Sequence, residues 1–129
     1  MLASVNVVAQ GSLEVTIQNI RNDNGNVRVG IFREENFLKK AVFGEVQKAA
    51  NGTVVVVFDD LPAGEYALSV IHDENANDDL DSNALGIPKE GFAFGNNAMG
   101  FFGPPSFDNA KFRIDHGKRA KQVIDMRYL

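Results

Sequence analysis

The chain has 129 residues, 44% of them hydrophobic, and a net charge of -4, a balance that suits a folded domain and excludes an intrinsically disordered one. It contains no Cys, which excludes disulfides, thiolate chemistry and Cys-based zinc sites. No run of about 18 apolar residues occurs, so no membrane-spanning helix is expected. A chain of this length forms one domain that buries roughly two thirds of its unfolded surface.

Residues 1–11 read as the remnant of a signal peptide or a disordered leader: a short apolar run and then Val7-Val8-Ala9, small enough for a cleavage site, although a basic start is missing. Residues 12–129 are expected to be a single domain. Across 13–20, Leu13, Val15 and Ile17 alternate with Glu14, Thr16 and Gln18, the pattern of a half-buried strand. The run RNDNGN at 21–26 supplies Asn24-Gly25, where positive φ costs little, and Val27, Val29 and Ile31 resume the alternation. The pair predicts a hairpin.

Asn36 is placed to cap a short helix carrying Phe37, Leu38, Ala41 and Val42 on one face. A short strand at 45–49 follows, then Asn51-Gly52 and the run TVVVVF at 53–58, which predicts a strand covered on both faces. Pro62 and Gly64 make a turn into a further strand, in which Tyr66, Leu68 and Val70 share a side. Residues 86–110 show no periodicity, only turn residues and Phe92, Phe94, Phe101, Phe102 and Phe107. Strands at 111–114 and 120–128, joined at Gly117, predict a last hairpin. The sum is an all-β, antiparallel two-sheet β-sandwich of about seven strands, with one short helix and a long Phe/Gly-rich loop.

The stretch HDENANDDLDSN, residues 72–83, directly follows the 65–71 strand. Five of its residues are acidic, and no Lys or Arg lies between Lys48 and Lys89. Crowded carboxylates repel one another, and a hard divalent cation relieves them. Counting from Asp73, oxygen-bearing side chains recur at Asp73, Asn75, Asn77, Asp79 and Asp81, which matches positions 1, 3, 5, 7 and 9 of an EF-hand-like Ca²⁺ loop. Position six is Asp78 in place of Gly, and position twelve is Ala84 in place of Glu. The expected site is therefore weak, with Kd on the order of 10⁻⁴ to 10⁻³ M. The competing reading is a solvated acidic turn held by local side-chain hydrogen bonds.

His72 reads as the last residue of its strand, as a neighbour of a metal ligand, or as a general base. The latter would make the chain a hydrolase, but neither a zinc pattern with His116 nor any nucleophile motif accompanies it. Phe92, Phe94, Phe101 and Phe102 offer a platform for an apolar small molecule, peptide or glycan, or else an anchor for their own loop. The basic residues between Lys111 and Arg127 fall on strands with no helix to enter a groove, so nucleic acid is not an expected partner.

Leu61-Pro62-Ala63-Gly64-Glu65-Tyr66, HDENANDDLDSN and LGIPKEGFAFGNNAMGFFGPPSFDNAKF together resemble the bacterial domain-of-unknown-function 2141 family over residues 13–129. The resemblance implies an exported, uncharacterised protein, similar to transthyretin-like and carboxypeptidase-regulatory-like sandwiches. That family's loop is usually glycine-bearing where this chain has Ala76 and Asp78, and the resemblance transfers no catalytic residues. The sequence thus predicts a periplasmic or secreted, non-enzymatic binding or structural module with a Ca²⁺-stabilised loop. A carrier for an apolar ligand is the alternative.

Overall fold

A computed structural model describes residues 10–75, 90–100 and 103–129. Among the described residues eight strands run in the order β1 (Gly11–Ile20), β2 (Asn26–Phe32), β3 (Phe43–Lys48), β4 (Gly52–Leu61), β5 (Gly64–Asp73), β6 (Gly91–Phe94), β7 (Lys111–Ile114) and β8 (Arg119–Asp125). One helical turn, α1 (Phe107–Ala110), precedes β7, and 3₁₀ turns occupy Glu34–Asn36 and Gly95–Asn97. The strands form a three-stranded sheet ordered β4-β1-β8 and a five-stranded sheet ordered β3-β2-β5-β6, with β7 also paired to β5. This is an open two-sheet sandwich.

Its core lies between the sheets. Leu13, Val15 and Ile17 of β1, Val54, Val56 and Phe58 of β4, and Ile124 of β8 face Val27, Val29 and Ile31 of β2 and Tyr66, Leu68 and Val70 of β5. Strict alternation places these side chains on one face of each strand, and each large buried aliphatic contributes about 1.5–3 kcal/mol relative to exposure. The longest strand of the larger sheet, β5, is paired from Ala67 to Asp73 with β2 on one side and with β7 and then β6 on the other. Its first turn is locked by Tyr66, whose hydroxyl donates to the carbonyl of Pro62 at 2.6 Å and accepts from Arg33 Nη2 at 3.0 Å. The bond from a buried Tyr back to backbone four residues upstream is the geometry of a tyrosine corner.

Several expectations need correction. Neither predicted hairpin forms: β1 and β2 lie in different sheets, and so do β7 and β8. The turn at 21–25 is tied into the second sheet, because the Gly25 carbonyl accepts from Ala49 N–H at 3.1 Å and its Cα sits against the Asp73 carbonyl. Gly25 has φ +65, and a Cβ there would fall 1.9 Å from that oxygen, so no other residue fits. The sheets are not purely antiparallel, since β8 runs parallel to β1 from Ser12↔Arg119 to Gln18↔Asp125.

Nor is the TVVVVF strand covered on both faces. Val54 and Val56 are buried while Val55 and Val57 are exposed, and β4 is an edge strand. Its valines serve β-propensity on one face and burial on the other. Asn36 does not start a helix; its Oδ1 accepts from Arg33 N–H at 3.0 Å and closes the turn before it. Phe37 instead packs edge-on between Phe32 and Phe107, each 5.8 Å away. The Phe/Gly-rich segment contains β6 and α1, elements too short for any periodicity to show.

Candidate functional site

The C-terminal end of β5, the 21–25 connection, the start of β6 and the chain's last residues converge at one end of the sandwich. Alternation along β5 turns His72 inward, where its ring is fully buried and meets Tyr128 edge-on at 5.9 Å. Its Nε2 lies 2.8 Å from the Asn24 carbonyl and its Nδ1 2.8 Å from the Tyr128 hydroxyl. A carbonyl only accepts, so Nε2 carries the hydrogen. The Tyr128 oxygen also accepts from Arg21 N–H at 3.1 Å. Both histidine nitrogens are thereby engaged.

Arg21 extends the network. Its guanidinium lies 4.4 Å from the centroid of the Tyr128 ring, a cation–π contact, and binds Glu74 through Nε at 3.2 Å and also through Nη2. Asn22 Nδ2 donates to the same carboxylate at 2.6 Å. The Arg21 hydrogen bond, helped by Asn22, holds the Glu74 carboxyl below its ordinary pKa against the opposing effect of partial burial. The Arg21 guanidinium is raised by the same bond. Burial pushes the Tyr128 hydroxyl upward, partly offset by the Arg21 N–H and charge.

Glu90, buried just before β6, accepts from the backbone N–H of Glu74 at 2.5 Å. This bond joins the two stems of the segment 76–89. Asp73, the last residue of β5, is fully buried beside them. The acidic segment thus emanates from a clamped base with a buried carboxylate on each stem.

Of the predicted metal ligands, Asp73 is buried in this base and Asn75 is exposed at the turn after it. Asn77, Asp79 and Asp81 lie outside the described residues. Among the described residues no group of three or more His, Asp and Glu is arranged to hold a metal ion. Of the predicted aromatic platform, Phe92 is buried and Phe94 half-buried, their rings 6.1 Å apart, and Phe101 and Phe102 lie outside the described residues. Arg21, Asn22 and Tyr128 were not legible as partners of this base. A Tyr one residue from the end of the chain carries no local sign of its distant contact with His72.

At the opposite end of β5 lies a cleft of about 350 Å³, lined by Arg33, Glu34, Glu35, Glu65, Phe107 and Arg113. Its walls are polar and mixed in charge, and it contains none of the predicted site residues.

These features define a β-sandwich that presents an acidic segment from a hydrogen-bonded base. Residues 15–122 match the family described as "Uncharacterized protein conserved in bacteria (DUF2141)", and the chain belongs to it. No match is found among curated proteins or among solved structures.

Proposed function

We propose that the protein is an exported binding or structural module without a catalytic role, whose acidic loop is stabilised by Ca²⁺ through Asp73, Asn75, Asn77, Asp79 and Asp81. The observation that carries this reading is the base of the loop: Asp73 and Glu90 are buried on its two stems, which the Glu90–Glu74 hydrogen bond holds together. The intervening sequence adds Asp78, Asp79 and Asp81 without a single Lys or Arg before Lys89. Carboxylates crowded this closely repel one another, and a hard oxygen-binding cation suits this donor set. The engaged nitrogens of His72 support a structural role for that residue over a general base. The burial of Phe92 lends less support to an apolar carrier.

Melting in millimolar Ca²⁺ and in EDTA tests the proposal. Millimolar Ca²⁺ is about one to ten times the expected Kd and adds about 0.4–1.4 kcal/mol, so the Ca²⁺ melt is expected to lie a few degrees higher, with Asp81→Ala abolishing the difference. Coincident melts for the unsubstituted chain would remove the cation from this account. Export is checked by N-terminal sequencing of the protein recovered from a periplasmic fraction.

A further inference from the structure

The edges of the two sheets are not treated alike. The outer edge of β8 is covered by the Gly95–Asn97 turn: Asn97 Oδ1 accepts from Asp125 N–H at 2.8 Å, Asn97 Nδ2 donates to the Val123 carbonyl at 3.4 Å, and Asn96 N–H donates to Gln122 Oε1 at 2.8 Å. On the same flank β6 is stitched to the C-terminal segment by reciprocal 3.0 Å bonds between Phe92 and Arg127. The opposite flank carries β3 and β4. Glu45, Gln47 and Lys48 guard β3, and charged side chains are a common defence of an exposed edge.

β4 has no such defence between its ends. Residues 53–58 contain no charge, proline or glycine, and their ladder to β1 is regular from Val54↔Ile17 to Phe58↔Leu13. Register shifts lie only beyond those pairs, near Asn19 and Asp60, both at positive φ. Among the described residues no bond from outside the β1 ladder reaches the backbone of 53–58. Every second N–H and C=O of this flat segment therefore faces outward. On the solvent face Val55 is 46% and Val57 37% exposed, and Val123, in the same cross-strand row as Val55 and Thr16, is 54% exposed.

We propose that β4 is a dimerisation edge, with residues 53–58 of one copy pairing antiparallel with the same residues of a second copy to join two three-stranded sheets into one of six. Unpaired strand groups select another strand as occupant, and charge placement selects a second copy. Antiparallel pairing centred on Val56 sets Val55 beside the partner's Val57 on both sides of the two-fold axis. It also lays the acidic end, Asp59 and Asp60, against the uncharged Thr53 and Gly52 of the other copy. Like charges stay apart, and the contact is isologous and closed. Six residues of strand make a small interface, so the association belongs to the weak, transient class.

Sedimentation equilibrium of the full chain, from low micromolar to millimolar, tests this. A reversible monomer–dimer equilibrium is expected, with amide exchange at 53–58 slowing as concentration rises. Val55→Lys combined with Val57→Lys sets like charges opposite one another across the axis and is expected to weaken association at least about tenfold. Val46→Lys on the neighbouring edge β3 is expected to leave it unchanged. A monomer throughout the range, a dimer equally tight in the double variant, a dimer lost with Val46→Lys, or open-ended oligomers would each overturn the proposal. The exchange measurement on the unsubstituted chain decides the matter even if the double variant folds poorly.

Discussion

Tyr128 makes three contacts with one side chain, its hydroxyl accepting from Arg21 N–H and bonding His72 Nδ1 while its ring lies under the Arg21 guanidinium. Tyr128→Phe keeps the ring and removes the hydroxyl, leaving a buried imidazole nitrogen without its partner. The expected loss is about 1–3 kcal/mol, read as a lower urea midpoint with unchanged m. Glu74 gives the end its pH dependence. Its folded pKa is depressed, chiefly by Arg21, so the unfolded chain holds the proton more readily. The stabilisation is complete above the ordinary carboxylate pKa and is lost as pH falls through the lower folded value. Glu74→Gln should therefore lower stability in the neutral region while leaving it nearly unchanged below the folded pKa, which flattens the acid limb of stability against pH. An unchanged acid limb in chemical denaturation would assign that limb to other carboxylates.

Among the elements, β5 does the most positioning, because it begins at the Tyr66 corner and ends at the buried His72 and Asp73. A strand rises about 3.3 Å per residue, so fixing its start also fixes where the acidic segment leaves the sandwich. Tyr66→Phe removes the bond to the Pro62 carbonyl and the acceptor for Arg33. It should cost about 1–3 kcal/mol, and hydrogen exchange should show faster opening at the β5–β7 pairing than at the β5–β6 pairing. The Gly95–Asn97 turn works differently. It contributes little core, yet its asparagines, at φ +60 and +55, substitute side-chain amides for the strand that β8 lacks. Asn tolerates the left-handed region better than most residues.

At the scale of the molecule, the described residues close one flank of the sandwich and leave the other open, and the stems of the acidic segment lie at the end where the chain's last residues dock. The melt expected from the proposed Ca²⁺ site belongs to this scale, since an ion bound at the loop would stabilise the whole cooperative fold and not the loop alone. Concentration-dependent association belongs here too. It draws on the open flank, away from the base of the loop, so dimerisation and Ca²⁺ dependence should vary independently.

Much of this was legible in the residues themselves. Alternation in β1, β2 and β5 marked which side chains face the core, Pro62 and Gly64 marked the turn before Tyr66, and the position of the acidic segment directly after β5 followed from its own composition. Pairing was not legible. A period of two names a strand's inner face but not its neighbour, so Asn24-Gly25 and Gly117 showed where the chain reverses without showing that it crosses to the other sheet. The same gap hid the exposure of Val55 and Val57, because a β-branched run reads alike in the centre of a sheet and at its edge. Only long-range packing brings Arg21, Asn22, Glu90 and Tyr128 to His72 and Glu74, over separations of up to 56 residues. Local chemistry determined the elements of this protein; the burial of two faces against each other decided which elements meet and which edges stay open.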